Sequence, residues 1–362
     1  MTHELKLTDD LTFRDLYTGT GLRRIDDLFC DHLDRTDESL ARRMAHARQT
    51  MQNEDELDDK AQSDLILELA PHLDDFIGIL FGNTKDIQAR AKEHHERAPI
   101  FAARRLFVQR TALKKIKADE ARELNGEALK QTLESHLGDD FDEITYANAV
   151  LGWMEDADTH AEKLELAARY AAWYVHSAKT KSSVLFKEPH RVDPFNLVKG
   201  LSEQDISGAT VLYMDDQYLR QRPGFKLTDP GFGLDETLSE ANYCIFCHNQ
   251  GKDSCSKGLR DKKTNAFRKT AFGVDMIGCP LEEKISEMHV AKTDGHFVGS
   301  LAIAVIDNPM IAGTGHRICN DCMKACIYQK QEPVDIPAAE TRTLRDVLEL
   351  PWGFEIYSLL SR

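Results

Sequence analysis

The stretches CIFC at residues 244–247, CP at 279–280 and CNDCMKAC at 319–326 decide how this chain is interpreted. Together with Cys255 they place seven of the eight cysteines in one part of the sequence, and only Cys30 lies elsewhere. Disulfides are rare in a reducing cytosol, so clustered cysteines indicate metal ligands or catalytic thiols. The pattern therefore predicts a cysteine-ligated metal region in the last third of the chain.

The overall composition excludes several classes of protein. A chain of 362 residues with 41% hydrophobic and 30% charged residues is typical of a soluble protein with two domains. The first residues, MTHELK, lack the apolar core of a signal peptide, and no apolar run reaches the roughly 20 residues of a membrane span. We therefore expect a cytoplasmic protein. The net charge of −15 argues against a protein that coats nucleic acid, because phosphate binding requires surplus Lys and Arg.

Helical periodicity dominates the first 200 residues. Apolar side chains recur three and four positions apart in Asp64–Ala70, in Phe101–Val108 and over Tyr146–His176, although the acidic middle of the last stretch suggests a turn. A Gly/Pro-rich segment follows, and within it Ala209–Tyr213 has the composition of one short strand. We predict a mainly α protein in three parts: a helical domain of unknown function (1–200), a connecting region and linker (201–237), and a small helical domain with long ligand loops (238–362).

The local signals add further boundaries. Asp140 or Asp142 is a candidate N-terminal cap for the helix that contains Tyr146. In the cysteine region the apolar spacing predicts helices over 281–293, 297–306 and 337–348. An aromatic tail that starts at Trp352 closes the chain, and we interpret it as a surface that a partner covers.

The cysteine spacing favours iron–sulfur clusters. A C-x2-C turn lets two thiolates converge on one metal ion or cluster, and a cubane cluster takes four ligands, usually a close group of three and a remote one. A cysteine followed by proline is typical of ferredoxins, in which that cysteine crosses to the other cluster. The candidate ligands form one run (Cys244, Cys247, Cys255), a second run (Cys319, Cys322, Cys326) and an intermediate cysteine (Cys279).

Two alternatives remain at this point. Two structural zinc sites would also use C-x2-C pairs, with one histidine completing the eight ligands. A dithiol redox site is less favoured, because the parallel-sheet context of a redox C-x-x-C motif is absent from the sequence. The candidate zinc-binding histidines are His248, His289, His296 and His316.

Other features have a plain explanation. The basic residues of the first ligand loop would either tune an anionic cluster or form a solvated docking patch. The YMDD sequence at 213–216 matches a polymerase signature by chance, and we expect His94 and His95 to be exposed and Cys30 to pack or to be an exposed thiol. The basic residues are Lys252, Lys257, Arg260, Lys262, Lys263, Arg268 and Lys269.

The segment from Tyr243 to Leu348 resembles the N-terminal iron–sulfur domain of the glutamate synthase small subunit and of dihydropyrimidine dehydrogenase. The likeness depends on the order of the C-x2-C start, Cys279-Pro280 before a helix, the DNP sequence at 307–309 and the three closing cysteines. The resemblance implies two [4Fe-4S] clusters whose ligands interleave between the two cysteine runs. The chain departs from the family in the long loop between Cys255 and Cys279.

The resemblance also implies a ligand assignment. Residue by residue, it gives Cys244, Cys247, Cys255 and Cys326 to the first cluster. It gives Cys279, Cys319 and Cys322 to the second cluster, with Glu340 as the non-cysteine ligand. The alternative for Glu340 is an ordinary glutamate in the first turns of a helix.

Members of that family carry this domain in front of FAD-dependent pyridine nucleotide-disulfide oxidoreductase domains. The nearest dinucleotide motif here, Gly313-Thr-Gly315, lacks the third glycine, so FAD and NAD(P) would belong to a partner domain or subunit that docks near the C-terminal tail. The resemblance thus implies an electron-transfer module of a flavin-dependent oxidoreductase with no catalytic residues of its own. The alternatives are a zinc-stabilised interaction module without redox activity and a scaffold with a structural cluster.

Overall fold

The computed structural model describes residues 7–52, 57–138, 141–178, 183–219, 224–227, 229–315 and 318–362. These residues are mainly helical, which confirms the predicted fold class. Among them, no helix is both long and apolar enough to cross a membrane. The cap candidate Asp140 and the zinc candidate His316 lie outside the described residues.

Four helices make up the N-terminal part. Asp58 caps the third of them by accepting a hydrogen bond from the Ala61 N–H, and Gly82 ends it in the left-handed conformation at φ 68°. A short 3-10 helix, Phe13–Tyr17, precedes them. The helices are α1 (Gly19–Thr36), α2 (Glu38–Gln52), α3 (Asp59–Phe81) and α4 (Thr84–Ala103).

A second group of helices follows a π-helical continuation of α4 over Arg104–Ala112. Asp142 caps one of them by accepting from the Thr145 N–H at 2.7 Å, as the sequence suggested. The predicted long helix over 146–176 is two helices, separated by the acidic stretch at 156–160, and the Tyr146 hydroxyl joins them by donating to the Ala167 carbonyl at 2.8 Å. The helices are α5 (Leu113–Lys115), α6 (Ala118–Glu123), α7 (Gly126–Leu137), α8 (Glu143–Glu155) and α9 (Ala161–Ser177).

An exposed hairpin forms the connecting region. Strand β1 (Leu201–Ile206) pairs antiparallel with β2 (Ala209–Met214), from Leu201 opposite Met214 to Ile206 opposite Ala209. Ser207 and Gly208 both have positive φ, which is the geometry of a two-residue hairpin turn. The strand predicted at 209–213 is therefore present, and its partner β1 is additional. The YMDD residues lie on this exposed arm and on the turn after it.

The cysteine region consists of short helices and the loops that carry the cysteines. The three helices expected at 281–293, 297–306 and 337–348 are present, although the first begins later, at Ile285. The helices are α10 (Leu234–Tyr243), α11 (Ser254–Lys257), α12 (Ile285–Thr293), α13 (Phe297–Asp307), α14 (Ile311–Thr314), α15 (Asp321–Ala325), α16 (Ile336–Leu348) and α17 (Gly353–Leu360).

One hydrophobic core contains side chains from both ends of the chain. Residues between Leu7 and Ile87 pack with residues between Cys255 and Ile356, and α13 lies at the centre against α3, α12 and α16. The approach of α13 to α3 is so close that a Cβ at Gly299 would lie 2.6 Å from the Ala70 Cβ. A second core is built from residues between Ile100 and Phe186 with Leu238. The three ranges expected from the sequence remain a prediction as a division into domains.

The aromatic tail is mostly packed rather than open. Ile356 of α17 is fully buried, and Trp352 and Tyr357 pack against the first core. Phe354 is the large side chain that stays mainly exposed, at 64%. Most of its apolar side chains are thus at least partly covered by this chain itself, and the interpretation of the tail as a surface for a partner stays a prediction.

A buried ion pair joins α12 to α16. The Lys292 ammonium donates to the Asp346 carboxylate, and both side chains are 1% exposed. Arg342 Nε also donates to Asp346, at 2.7 Å, and Arg90 Nη1 lies 3.4 Å away. Burial alone would raise the pKa of Asp346, but the Lys292 and Arg342 charges lower it below its ordinary value.

We predict that Asp346→Ala destabilises the protein by about 3–5 kcal/mol, because it leaves the buried Lys292 ammonium without its anion. Urea unfolding followed by circular dichroism measures this loss. The double change Asp346→Leu with Lys292→Met should cost less than the single one, since it removes both charges.

The exposed pair of Arg122 and Asp119 provides the control for this measurement. Asp119→Ala should change the free energy of unfolding by no more than about 0.5 kcal/mol. An Asp346→Ala protein as stable as Asp119→Ala would contradict the assignment of a buried charge pair.

Candidate metal centre

Four cysteines from distant parts of the sequence line one narrow pocket. Cys244 directly follows α10, Cys247 begins a 3-10 helix, Cys255 lies in α11 and Cys326 directly follows α15. The other walls are mainly apolar side chains, of which Ile285, Val334 and Ile336 are buried while Ile245 and Ile327 are exposed. They are Ile245, Ile285, Ile327, Val334 and Ile336, together with Ser254, His289 and Tyr328.

Two contacts bring the two cysteine runs together. Helix α11 packs against α15, so Cys255 and Cys326 lie on facing segments. The rings of Tyr243 and Tyr328, each close in sequence to a cysteine, stack with centroids 4.3 Å apart and an interplanar angle of 6°. The Tyr328 hydroxyl donates to the Tyr243 carbonyl at 3.0 Å. The two tyrosines therefore hold the segment next to Cys244 against the segment next to Cys326.

The long loop between Cys255 and Cys279 returns to its starting point. The Cys279 N–H donates to the Cys255 carbonyl at 2.8 Å, and the Leu259 N–H donates to Met276 at 2.9 Å. Leu259 and Met276 also form a small cluster with Ala325 of α15. The loop thus lengthens the sequence between Cys255 and Cys279 without separating these two cysteines at its base.

Three of the basic residues on this loop each have a partner of their own. Lys257 pairs with Asp59 and Lys269 with Asp275, while the Arg260 guanidinium covers the Phe267 ring at 3.8 Å. These contacts are with neighbours on the surface, as in a solvated loop.

A second group consists of two cysteines and two glutamates. The Cys322 thiol interacts electrostatically with Glu340, Cys279 and Glu283, and the carboxyls of Glu283 and Glu340 share a hydrogen bond. Burial raises the pKa of both carboxyls, and the neighbouring Glu283 raises that of Glu340 further. Glu283 had no signal in the sequence, since it is one of several glutamates in a charged stretch.

Cys319 differs from the other cysteines of this region because its side chain is exposed. Its thiol lies 3.6 Å from the Asp321 carboxylate, and the structure does not bury it with Cys279, Cys322 and Glu340. Of the residues expected at the second cluster, the structure therefore brings three together and leaves Cys319 at the solvent edge.

Burial controls the chemistry of the thiols. It raises the pKa of Cys244 to about 12, and it raises those of Cys255 and Cys322 well above the ordinary value. Backbone N–H groups oppose this effect by pointing at the sulfurs: the Phe246 N–H lies 3.4 Å from Cys244 Sγ. The backbone N–H groups of Tyr328 and its neighbours point in the same way at the sulfur of Cys326. Such N–H donors stabilise sulfur anions, and a coordinated metal makes a thiolate of a buried thiol.

The side chains around the four-cysteine pocket are chemically suited to a group that is bound through sulfur. His289 lines the pocket of the four thiols, is 1% exposed, and has no hydrogen-bonding partner on either ring nitrogen among the described residues. Polar groups buried this deeply are almost always paired, so the unpaired ring indicates that the pocket takes a further group. Within the described part of the chain, however, no three His, Cys, Asp or Glu are placed to hold a single metal ion.

The other described histidines face elsewhere. His248 Nδ1 contacts Ser286 Oγ, and His296 Nδ1 lies 4.0 Å from Asp74 Oδ2. His94 is 2% exposed and its Nδ1 contacts the Arg90 carbonyl at 2.8 Å. The expected exposure of His94 is therefore wrong, because α4 turns that face towards Phe297. Cys30 is half-buried, 3.6 Å from Arg48 Nη1.

Comparison with known proteins gives relatives without an assigned role. Residues 7–82 match the model of the RP005 N-terminal alpha-helical domain. The chain is 31% identical over 303 residues to the uncharacterized protein RP005 of Rickettsia prowazekii (strain Madrid E), covering 80% of this chain and 98% of that protein. It is 66% identical over 53 residues to the uncharacterized protein RP006 of the same organism, covering 15% of this chain and 8% of that protein. No solved structure matches the chain.

The burial of the thiols predicts their reactivity in the metal-free chain. We expect iodoacetamide to alkylate Cys319 at least about tenfold faster than Cys255, because the buried thiol has a raised pKa and limited access. Peptide mass spectrometry after timed labelling measures both rates. In denaturant the two rates should converge, and equal rates in the folded chain would contradict the described pocket.

Proposed function

The chain belongs to the RP005 family, and we propose that it is an iron–sulfur electron-transfer module. In this proposal it holds two [4Fe-4S] clusters and relays single electrons between a flavin or NAD(P)H partner and an acceptor. The proposal keeps the likeness to the iron–sulfur domain of the glutamate synthase small subunit and dihydropyrimidine dehydrogenase. The residues expected to bind the first cluster are Cys244, Cys247, Cys255 and Cys326.

One observation carries the proposal. The pocket joins three cysteines of the first run to Cys326 of the second, and not to the nearer Cys279. The family resemblance implies this interleaving of the two cysteine runs. The apolar periodicity of the helices does not predict it. Four thiols around one pocket, three of them buried and that of Cys244 half-buried, are the ligand number of a cubane cluster.

The protein's own residues would do three things for a bound cluster. The four thiolates hold it, the backbone N–H groups beside Cys244 and Cys326 donate to the sulfurs, and the buried Ile285, Val334 and Ile336 exclude water on their side of the pocket. The cluster, when bound, supplies one-electron redox chemistry. A low-dielectric shell of this kind is one of the means by which a protein sets a redox potential.

The second cluster would use Cys279, Cys322 and Glu340, with Cys319 as the third thiol at the solvent edge. Glu283 lies beside Glu340 and is an additional oxygen donor. The buried carboxyl pair supports a ligand role for Glu340 over the role of an ordinary surface glutamate, because Glu340 is 7% exposed. Carboxylates are buried in this way when a partner compensates them.

The partner in this proposal is a flavoprotein domain or subunit. A 53-residue segment recurs in RP006, a protein of which this chain covers 8%, and recurrence inside a longer chain is expected of a module joined to other domains. At the C-terminal tail Phe354 is available for docking, since it is 64% exposed whereas Ile356 is buried and the other apolar side chains of α17 are partly buried. FAD and NAD(P) belong to that partner in the proposal.

Metal analysis tests the proposal directly. We expect the protein purified without oxygen to contain about eight iron and eight sulfide ions per chain, with broad visible absorption that dithionite bleaches. Iron, sulfide and zinc are counted on the same sample. A colourless protein with stoichiometric zinc would instead support a zinc-stabilised interaction module and would reject electron transfer.

Substitutions separate the two clusters. Cys326→Ser should remove about half of the iron and one EPR signal, and Glu340→Ala should perturb the other signal alone. Cys30→Ser is the matched control, since Cys30 lies on α1 beside Arg48 of α2, and it should keep the full iron content. If Glu340→Ala leaves both signals unchanged, Glu340 is not a ligand.

A further inference from the structure

His289 occupies an unusual position for a buried histidine. It lies on α12, its ring is 1% exposed, and it forms part of the wall of the pocket that contains Cys244, Cys255 and Cys326. Neither ring nitrogen finds a hydrogen-bonding partner within the described ranges. By contrast, the buried His94 at least pairs Nδ1 with a backbone carbonyl.

The cost of this arrangement indicates a missing partner. An unpaired buried donor or acceptor destabilises the folded chain, and the imidazole of His289 has one of each. The surrounding Ile285, Val334 and Ile336 offer no polar atom on their side chains. Ser254 Oγ, on the wall of the same pocket, also has no hydrogen-bonding partner among the described residues, so the pocket leaves both polar groups for an incoming group to pair.

Helix α12 holds the ring rigidly in place. Its neighbours Ile285 and Met288 are each 1% exposed in the first core, and the Ser300 hydroxyl of α13 donates to the Met288 carbonyl at 2.9 Å. A side chain on a packed helix is a precise positioning device, because its backbone cannot move away from the pocket. The ring therefore stays against the four thiols.

We propose that His289 donates an N–H hydrogen bond to a sulfur of the cluster held by Cys244, Cys247, Cys255 and Cys326. The four thiols already supply the four ligands of a cubane, so the fifth donor in the pocket is a positioning and tuning residue instead of a ligand. Hydrogen bonds to sulfur favour the more negative, reduced cluster and raise its potential. This inference rests on the proposed function.

The test compares three variants, and the iron content of each variant is measured first. His289→Leu removes the donor, His289→Gln keeps an N–H donor of similar reach, and His136→Leu changes an exposed histidine on α7 as the control. Redox titration followed by EPR gives the potential of each cluster. We expect His289→Leu to shift one cluster at least tenfold towards the oxidised form, which is about 59 mV to lower potential for one electron.

The outcomes separate the inference from the proposed function. His289→Gln should recover part of the shift, and His136→Leu should show none. Full iron content in His289→Leu with unchanged potentials and EPR signals would overturn the hydrogen bond while leaving the clusters in place. Loss of one cluster in both His289→Leu and His289→Gln would make His289 a ligand and overturn the tuning role. A wild-type protein without iron would reject the proposed function itself.

Discussion

Helix α13 is apolar around almost its whole circumference, so it is stable only when other parts of the chain surround it. Helix α3 from the N-terminal part covers one side, and α12 and α16 from the cysteine region cover the others. Full burial of Phe297 and Leu301 contributes about 1.5–3 kcal/mol for each side chain. The first core therefore cannot form from the cysteine region alone.

This constraint also positions the candidate centre. Helix α12 carries His289 towards the four-thiol pocket, and α16 carries Glu340 towards Cys322. Both helices are fixed against α13, and the buried pair of Lys292 and Asp346 joins them directly. The N-terminal helices thus have a physical role in the site, because α3 closes the core on which these two helices rest.

Much of the fold follows from local sequence signals. The helical class, the apolar helix near 297–306 and the Asp142 cap depend on periodicity and on side-chain chemistry next to the backbone, so the sequence predicts them. Strand β1 was not predicted, because Leu201–Ile206 is mostly polar and is held by pairing with β2 alone. His94 looked exposed for a similar reason: its neighbours are charged, and a contact with distant Phe297 decides its burial.

The candidate site likewise has parts that the sequence predicts and parts that it does not. Spacing and family resemblance grouped the cysteines, and the structure places the four expected at the first cluster around one pocket. Glu283 could not be found, because its importance arises from the approach of Glu340 on another helix. Cys319 was grouped with Cys322 by the C-x2-C motif, but a turn of this kind leaves one cysteine exposed when helix α15 begins between them.

The desolvation of the thiols connects folding to metal loading. A neutral thiol is tolerated in an apolar pocket, whereas a thiolate there requires a cation or several hydrogen bonds. The raised pKa of Cys244 and Cys255 therefore favours protonated, packed cysteines in the metal-free chain. Loading a cluster would release these protons and replace the lost solvation with iron–sulfur bonds and N–H donors, so its binding free energy would add to that of the fold. In the proposed function, the apolar walls that protect the cluster from water are the same walls that stabilise the core before the cluster arrives.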